Sequence, residues 1–147
     1  MTYDNIVTGT FLKRPNRFIA YVEVKGDVKT CHVKNTGRCQ ELLVPGCTVV
    51  LEFHPKAKEM KRKTEYDLIA VYKGNLLINM DSQAPNQAAL EWIREKEAKG
   101  LSLENVGIPT NIRREVTHGE SRFDLAFELK DEVTGKTVPA FMEVKGV

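Results

Sequence analysis

Near the end of the chain, Phe123, Leu125, Phe127 and Leu129 alternate with Arg122, Asp124, Ala126 and Glu128. Further on, Val138, Ala140, Met142 and Val144 alternate with Pro139, Phe141, Glu143 and Lys145. A period of two puts each set on one side of a strand. A four-residue loop over Glu132-Val133-Thr134-Gly135 would pair Asp131 with Lys136 and Leu129 with Val138. Phe127 then meets Ala140, Leu125 meets Met142 and Phe123 meets Val144, so every apolar residue finds an apolar partner. A slip of one residue destroys that match, which specifies the register. Ahead of this hairpin, Ile112–Thr117 predicts one more strand, joined by a tight turn at Gly119-Glu120.

The first 80 residues show a different rhythm. Ile6–Lys13, Phe18–Lys25, Lys29–Lys34, Thr48–Phe53, Tyr66–Tyr72 and Leu76–Met80 are short runs rich in Val, Ile, Tyr and Phe. Arg14-Pro15-Asn16, Gly26-Asp27, Pro45-Gly46 and Gly74-Asn75 break them. Five or six short strands in roughly 80 residues predict a small barrel or sandwich, and closure into a barrel would remove the sheet edges. After Asp81 the cluster Ser82-Gln83-Ala84-Pro85-Asn86 opens a helix. Helix formers run from Gln87 to Lys99, with Gly100 as the stop. The last run, Val138–Val147, predicts a strand that reaches the end of the chain.

Composition leaves this picture standing. Hydrophobic residues are 41% and charged residues 29% of 147, a globular balance that excludes disorder. No apolar run approaches the roughly 18 residues of a membrane span. Met1–Phe11 lacks the pattern of a signal peptide, so a cytoplasmic location is expected. Cys31, Cys39 and Cys47 fit no common zinc spacing and are expected to be reduced. Charge adds more. Residues 1–80 hold 13 Lys+Arg against 8 Asp+Glu, and residues 81–147 hold 9 against 12. A basic front half suits a polyanion, and an acidic back half suits a carboxylate cluster that binds a metal.

The hairpin register carries the candidate chemistry. On its polar face Asp124 falls opposite Glu143, and Arg122 opposite Lys145. Opposed side chains have Cβ atoms about 5 Å apart, so two carboxylates there repel unless a divalent cation lies between them. Mg²⁺ takes such oxygens. Lys145, on the same face, would act on a metal-bound water or offset charge on a phosphate. Glu115, placed opposite Asp124 by the turn at Gly119-Glu120, is a secondary candidate. The competing reading is a solvated face of alternating charges.

These residues resemble the Asp…(Glu/Asp)-x-Lys signature of the restriction-endonuclease-like fold. The whole chain resembles the sugar fermentation stimulation protein family. The marks are Lys13-Arg14-Pro15-Asn16-Arg17-Phe18, Asn35-Thr36-Gly37-Arg38, Val44-Pro45-Gly46, Lys61-Arg62-Lys63, Pro85-Asn86, Ser121-Arg122-Phe123-Asp124 and Glu143-Val144-Lys145. The resemblance implies an α+β protein. A small OB-like β-barrel over residues 1–81 would precede a partial restriction-endonuclease-like α/β domain over 82–147. It implies DNA binding linked to sugar metabolism, and it places Glu91 beside Asp124 and Glu143 as a ligand for Mg²⁺ or Mn²⁺. Phe123 stands where the wider nuclease signature has proline. The family continues beyond Val147 with further strand and helix, so this chain is read as a fragment, inactive on its own.

Two basic clusters are the nucleic-acid candidates. Lys13, Arg14 and Arg17 flank the first turn. Lys56, Lys58, Lys61, Arg62 and Lys63 share a loop with one acid, Glu59. Asn35-Thr36-Gly37-Arg38 reads first as a tight turn, with Arg38 as a phosphate contact. The contacts expected are therefore Arg14, Arg17, Arg38, Lys61, Arg62 and Lys63. Phe11, Phe18, Tyr21 and Phe53 are available for base stacking but are read first as core. The leading function is nucleic-acid binding by a nuclease-like protein, with Mg²⁺-dependent cleavage at Asp124, Glu143 and Lys145 in the complete form. The alternatives are a non-catalytic DNA-binding regulator of sugar (maltose) metabolism genes, and a binder of small molecules or carbohydrates.

Overall fold

The computed structural model of the chain describes residues 1–146. It divides into two compact units, Thr2–Ser82 and the segment from Gln83 onward together with Met1. Among the described residues, no helix is long and apolar enough to cross a membrane.

The first unit holds six strands: β1 (Ile6–Lys13), β2 (Ile19–Val24), β3 (Asp27–Val33), β4 (Thr48–Phe53), β5 (Tyr66–Lys73) and β6 (Leu76–Asn79). Their order is β3-β2-β1-β4-β5-β6, and β3 also pairs with β5. That parallel pairing, Cys31↔Tyr66, His32↔Asp67 and Val33↔Leu68, closes β1 to β5 into an OB-like barrel. Alternation explains the closure. Val22, Val24, Cys31, Val33, Val49, Leu51, Leu68 and Val71 share one buried core, and burying each large apolar side chain contributes about 1.5–3 kcal/mol. The turn between β5 and β6 is Gly74-Asn75, with Gly74 at φ 60°. Glycine at the first turn position is what a two-residue hairpin with strand-matched twist requires. Gly9, in β1, is fixed by contact instead: a Cβ there would lie 2.5 Å from Val22 Cγ1 and 2.8 Å from the Glu23 carbonyl oxygen.

Three buried or half-buried polar groups brace the barrel. Asp81, 1% exposed, accepts hydrogen bonds from the Tyr3 hydroxyl (2.8 Å) and pairs with the Lys34 ammonium at 3.1 Å. Burial raises the Tyr3 hydroxyl above its usual range, and the Asp81 carboxylate adds to the shift. All three cysteines are free. Cys31 is fully buried, and desolvation with the nearby Asp67 charge pushes its thiol up to about 12. Thiolate is the reactive form, so Cys31 is expected to resist iodoacetamide at pH 8 until denaturant is added. Mass spectrometry of native and unfolded samples checks this; native labelling of Cys31 ahead of Cys39 would contradict the burial.

The second unit holds α1 (Ala84–Lys99) and an antiparallel sheet of β7 (Ile108–His118), β8 (Ser121–Lys130) and β9 (Thr137–Met142), in that order. Leu90 and Ile93 of α1 pack on Leu125, Phe127 and Leu129 of β8 in a separate core. The helix starts at Ala84, inside the cluster Ser82–Asn86 that the sequence offers as its opening. Pro85 sits in its first turn, where a missing N–H costs nothing. Gly100, at φ 62°, ends it in the left-handed conformation.

The hairpin register is as the alternation predicts: Leu125↔Met142, Phe127↔Ala140 and Leu129↔Val138 all pair. Asp131 and Lys136 close the four-residue loop through the Asp131 N–H, 2.9 Å from the Lys136 carbonyl. Two corrections follow. First, β7 begins at Ile108, not Ile112; Asn111 at φ 51° carries an irregularity that hides the strand's start. Second, β9 ends at Met142, whereas the sequence reading carried the strand through to Val147; Val147 itself lies outside the described residues. The pairs Phe123 with Val144 and Asp124 with Glu143 are therefore not part of the ladder. Phe123 instead stacks on Phe141, ring centroids 4.8 Å apart.

Candidate functional site

The end of β9 is set by Asp124. Its Oδ2 accepts the Val144 backbone N–H at 2.7 Å, and its Oδ1 accepts the Asn86 side-chain amide at 3.1 Å. A carboxylate that takes a backbone N–H replaces a ladder bond, so the chain turns off the sheet there. Asp124 thereby joins the first turn of α1 to the segment after β9. Just beyond, Glu143 holds the Lys145 ammonium. The hydrogen bond and charge of Glu143 raise the Lys145 pKa, and Asp124 adds to the shift. Two carboxylates and one ammonium thus share this corner.

The remaining acidic candidates have partners of their own. The Glu91 carboxylate accepts from the Met1 ammonium and from the Gln87 amide, the latter at 3.0 Å. The ammonium contact, then the amide, lowers its pKa. Glu115 adopts φ 50°, and the pairs on either side, Arg114↔Leu125 and Val116↔Phe123, keep the register that sets it opposite Asp124. It pairs with Arg122 at 3.2 Å. Among the described residues, the three ligand-type groups that do converge within 4.8 Å are Glu52, His54 and Asp67, in the barrel.

That cluster accounts for Arg62. Asp67, 4% exposed, accepts from Arg62 Nη2 at 2.6 Å and lies 2.8 Å from His54 Nε2. The Arg62 guanidinium gives Nη2 to this buried carboxylate, and its side chain remains 29% exposed. Lys61 and Lys63, its neighbours, are exposed.

Arg14 is also engaged within the barrel unit. Its guanidinium donates to four backbone carbonyls: Gly37 (2.6 Å), Arg38 (2.8 Å), Arg17 (2.7 Å) and Asn35 (2.6 Å). It fastens the β1–β2 loop to the segment after β3. Beside it lies a cleft of about 580 Å³, lined by Arg17, Thr36, Arg38 and Gln40. Phe18 is 48% exposed, not core, and carries the Arg17 guanidinium 5.0 Å from its ring centre. Sequence reasoning passed over Asn86, Thr36 and Gln40. Pro85-Asn86 and Asn35-Thr36-Gly37-Arg38 were visible as family motifs, but the partner of Asn86 lies 38 residues away.

An OB-like barrel followed by one helix and an antiparallel sheet with a carboxylate–lysine corner defines a two-part α+β protein. Residues 12–80 match the family described as SfsA N-terminal OB domain, and residues 83–147 match the sugar fermentation stimulation protein RE domain. The chain belongs to the sugar fermentation stimulation protein family. It is 53% identical over 148 residues to the sugar fermentation stimulation protein homolog of Alkaliphilus oremlandii, covering 100% of this chain and 59% of that protein. It is 48% identical over 147 residues to the homolog of Clostridium beijerinckii, covering 100% and 58%. The chain therefore spans a little under three fifths of the length of these relatives. Among solved structures it is similar to Pyrococcus furiosus SfsA in complex with Ca²⁺, with a TM-score of 0.67 and 25% identity over 88% of this chain and 52% of that one.

Proposed function

We propose that the chain is part of a DNA-binding protein that cleaves phosphodiesters with the help of Mg²⁺ or Mn²⁺ in its complete form. The observation that carries this reading is the corner where Asp124, Glu143 and Lys145 meet. Its donors are carboxylate oxygens, the ligands a hard divalent cation takes. The similar archaeal protein was solved with Ca²⁺, which supports a site of this kind. Asp124 and Glu143 would hold the cation; when bound it supplies Lewis-acid stabilisation of phosphate charge. The chain's own residues do the rest. Asn86 and the Val144 N–H fix the Asp124 carboxylate in place. Lys145 carries a positive charge to the phosphate and a proton-transfer group to its neighbourhood. On the barrel, exposed Lys61 and Lys63 supply sequence-independent phosphate contacts.

The complete protein is expected to nick plasmid only with Mg²⁺ or Mn²⁺. Replacing Lys61 and Lys63 by Ala in it should reduce the slope of log affinity against log salt by about two units on any duplex. DNA binding with no cleavage under any metal would leave a non-catalytic regulator as the function. One observation favours that second reading: both Asp124 oxygens and the Glu143 carboxylate already have partners in this structure.

A further inference from the structure

The cleft beside Arg14 has features that a general basic surface lacks. One guanidinium binds the carbonyls of both Arg17 and Arg38, so the backbones of these two residues are tied to the same group. Their side chains rise from separate loops that cannot move apart without breaking that tie. The cleft brings together three guanidinium groups and no carboxylate among its lining residues. Carbonyl dipoles take up the Arg14 Nη donors while its buried Nε has no partner, and none of this cancels its charge. Among the described residues, Arg17 and Arg38 have no carboxylate partner at hydrogen-bond distance, in contrast to Arg62 on the same barrel. Thr36 and Gln40 add a hydroxyl and an amide to the same walls.

The space is also of a definite size. A cavity of about 580 Å³ falls in the range of small-ligand sites, roughly 300–1,000 Å³. It exceeds what a lone phosphate fills. Phe18, with Arg17 held over its ring, places an aromatic surface and a flat cation next to the opening. Guanidinium forks match phosphate oxygens two at a time, and fixed loops spare the cost of ordering them on binding.

We propose that this cleft binds one nucleotide unit, its phosphate gripped by Arg17 and Arg38 and its polar groups met by Thr36 and Gln40. The choice of a nucleotide rests on the nucleic-acid reading above; the choice of a phosphate does not. The unit comes from a strand end or from a free nucleotide, which share this chemistry.

The test titrates the 147-residue chain with inorganic phosphate and with deoxyadenosine 5′-monophosphate, followed by NMR shift changes and calorimetry. Both bind, the nucleotide at least about tenfold more tightly. Arg17→Ala and Arg38→Ala each weaken it about tenfold or more, while Arg38→Lys keeps part of the affinity because the charge remains but the fork is lost. Thermal unfolding run alongside confirms that each variant is folded. A tetranucleotide with a 5′-phosphate that binds better than the mononucleotide identifies a strand end; the reverse order identifies a free nucleotide. No saturable phosphate binding, or a double variant within twofold of the parent, overturns the pocket. Phosphate binding with no gain for the nucleotide overturns the ligand class. Metal-dependent nicking is scored separately on the complete protein, so the pocket and the nuclease reading can fail independently.

Discussion

Asp67→Ala is expected to cost the barrel about 3 kcal/mol of unfolding free energy, because it strips the partner from a buried ion cluster. Asp67 is 4% exposed and sits in β5 directly opposite His32 of β3, in the parallel pairing that closes the barrel. Its carboxylate holds Arg62 at 2.6 Å and His54 at 2.8 Å, with His32 Nδ1 at 3.5 Å. Removing it strips the guanidinium of its carboxylate and leaves the His54 imidazole only Glu52, 3.5 Å away. Arg62 is partly exposed and can turn to water, which keeps the loss at the lower end of the range for broken buried pairs. Urea denaturation of parent and variant measures it. Arg62→Ala should cost less, since Asp67 keeps His54. A loss below about 1 kcal/mol for Asp67→Ala would show that the cluster does not brace the closure.

Asp124→Asn is expected to have the largest effect on chemistry. Asparagine keeps the shape and one acceptor oxygen but places an amide where either Asn86 or Val144 now donates. One of the two contacts, 3.1 Å or 2.7 Å long, becomes a clash of donors. Hydrogen bonds to charged groups contribute about 1.5–3 kcal/mol, so stability should fall by about that amount. Cation affinity, read by calorimetry with Ca²⁺ or Mn²⁺, should drop about tenfold or more, since the anchoring charge is gone. In the complete protein, nicking should cease. DNA binding should survive or tighten, because one negative charge leaves a surface that faces phosphates. Nicking at the parent rate in Asp124→Asn would remove this carboxylate from the proposed chemistry.

Much of the fold was legible because it is local. Period-two alternation and a loop of countable length specify the β8–β9 register, and glycine-led turns specify the β5–β6 and β7–β8 hairpins. The limits of that reading have physical causes. The alternation past Met142 continues in sequence, but Asp124 captures the Val144 N–H and ends the ladder, a side-chain event that no strand pattern records. The candidate site was legible in its residue types and less so in its contacts. Glu91 is the α1 carboxylate that the resemblance singles out, and its contacts are with Gln87 and Met1. Basic residues were counted as available charge, yet Arg14 and Arg62 donate to carbonyls and a carboxylate 3 to 24 residues away in sequence. Composition counts charges; only tertiary contacts decide which are free.

The way the barrel closes also sets the order of events in its folding. The β2–β3 and β5–β6 hairpins have two-residue turns and can form within their own segments. The seam from Cys31↔Tyr66 to Val33↔Leu68 must instead bring together strands more than 30 residues apart, and it gains only three residue pairs for that loop-closure entropy. Such a seam forms late. Of the contacts around Asp67, those to Arg62, His54 and Glu52 belong to β4, β5 and the loop between them, and only the one to His32 waits for the seam. Contacts made only at the seam bear on the rate of unfolding and leave the rate of folding nearly untouched; the seam governs how long the barrel lasts, not how fast it forms.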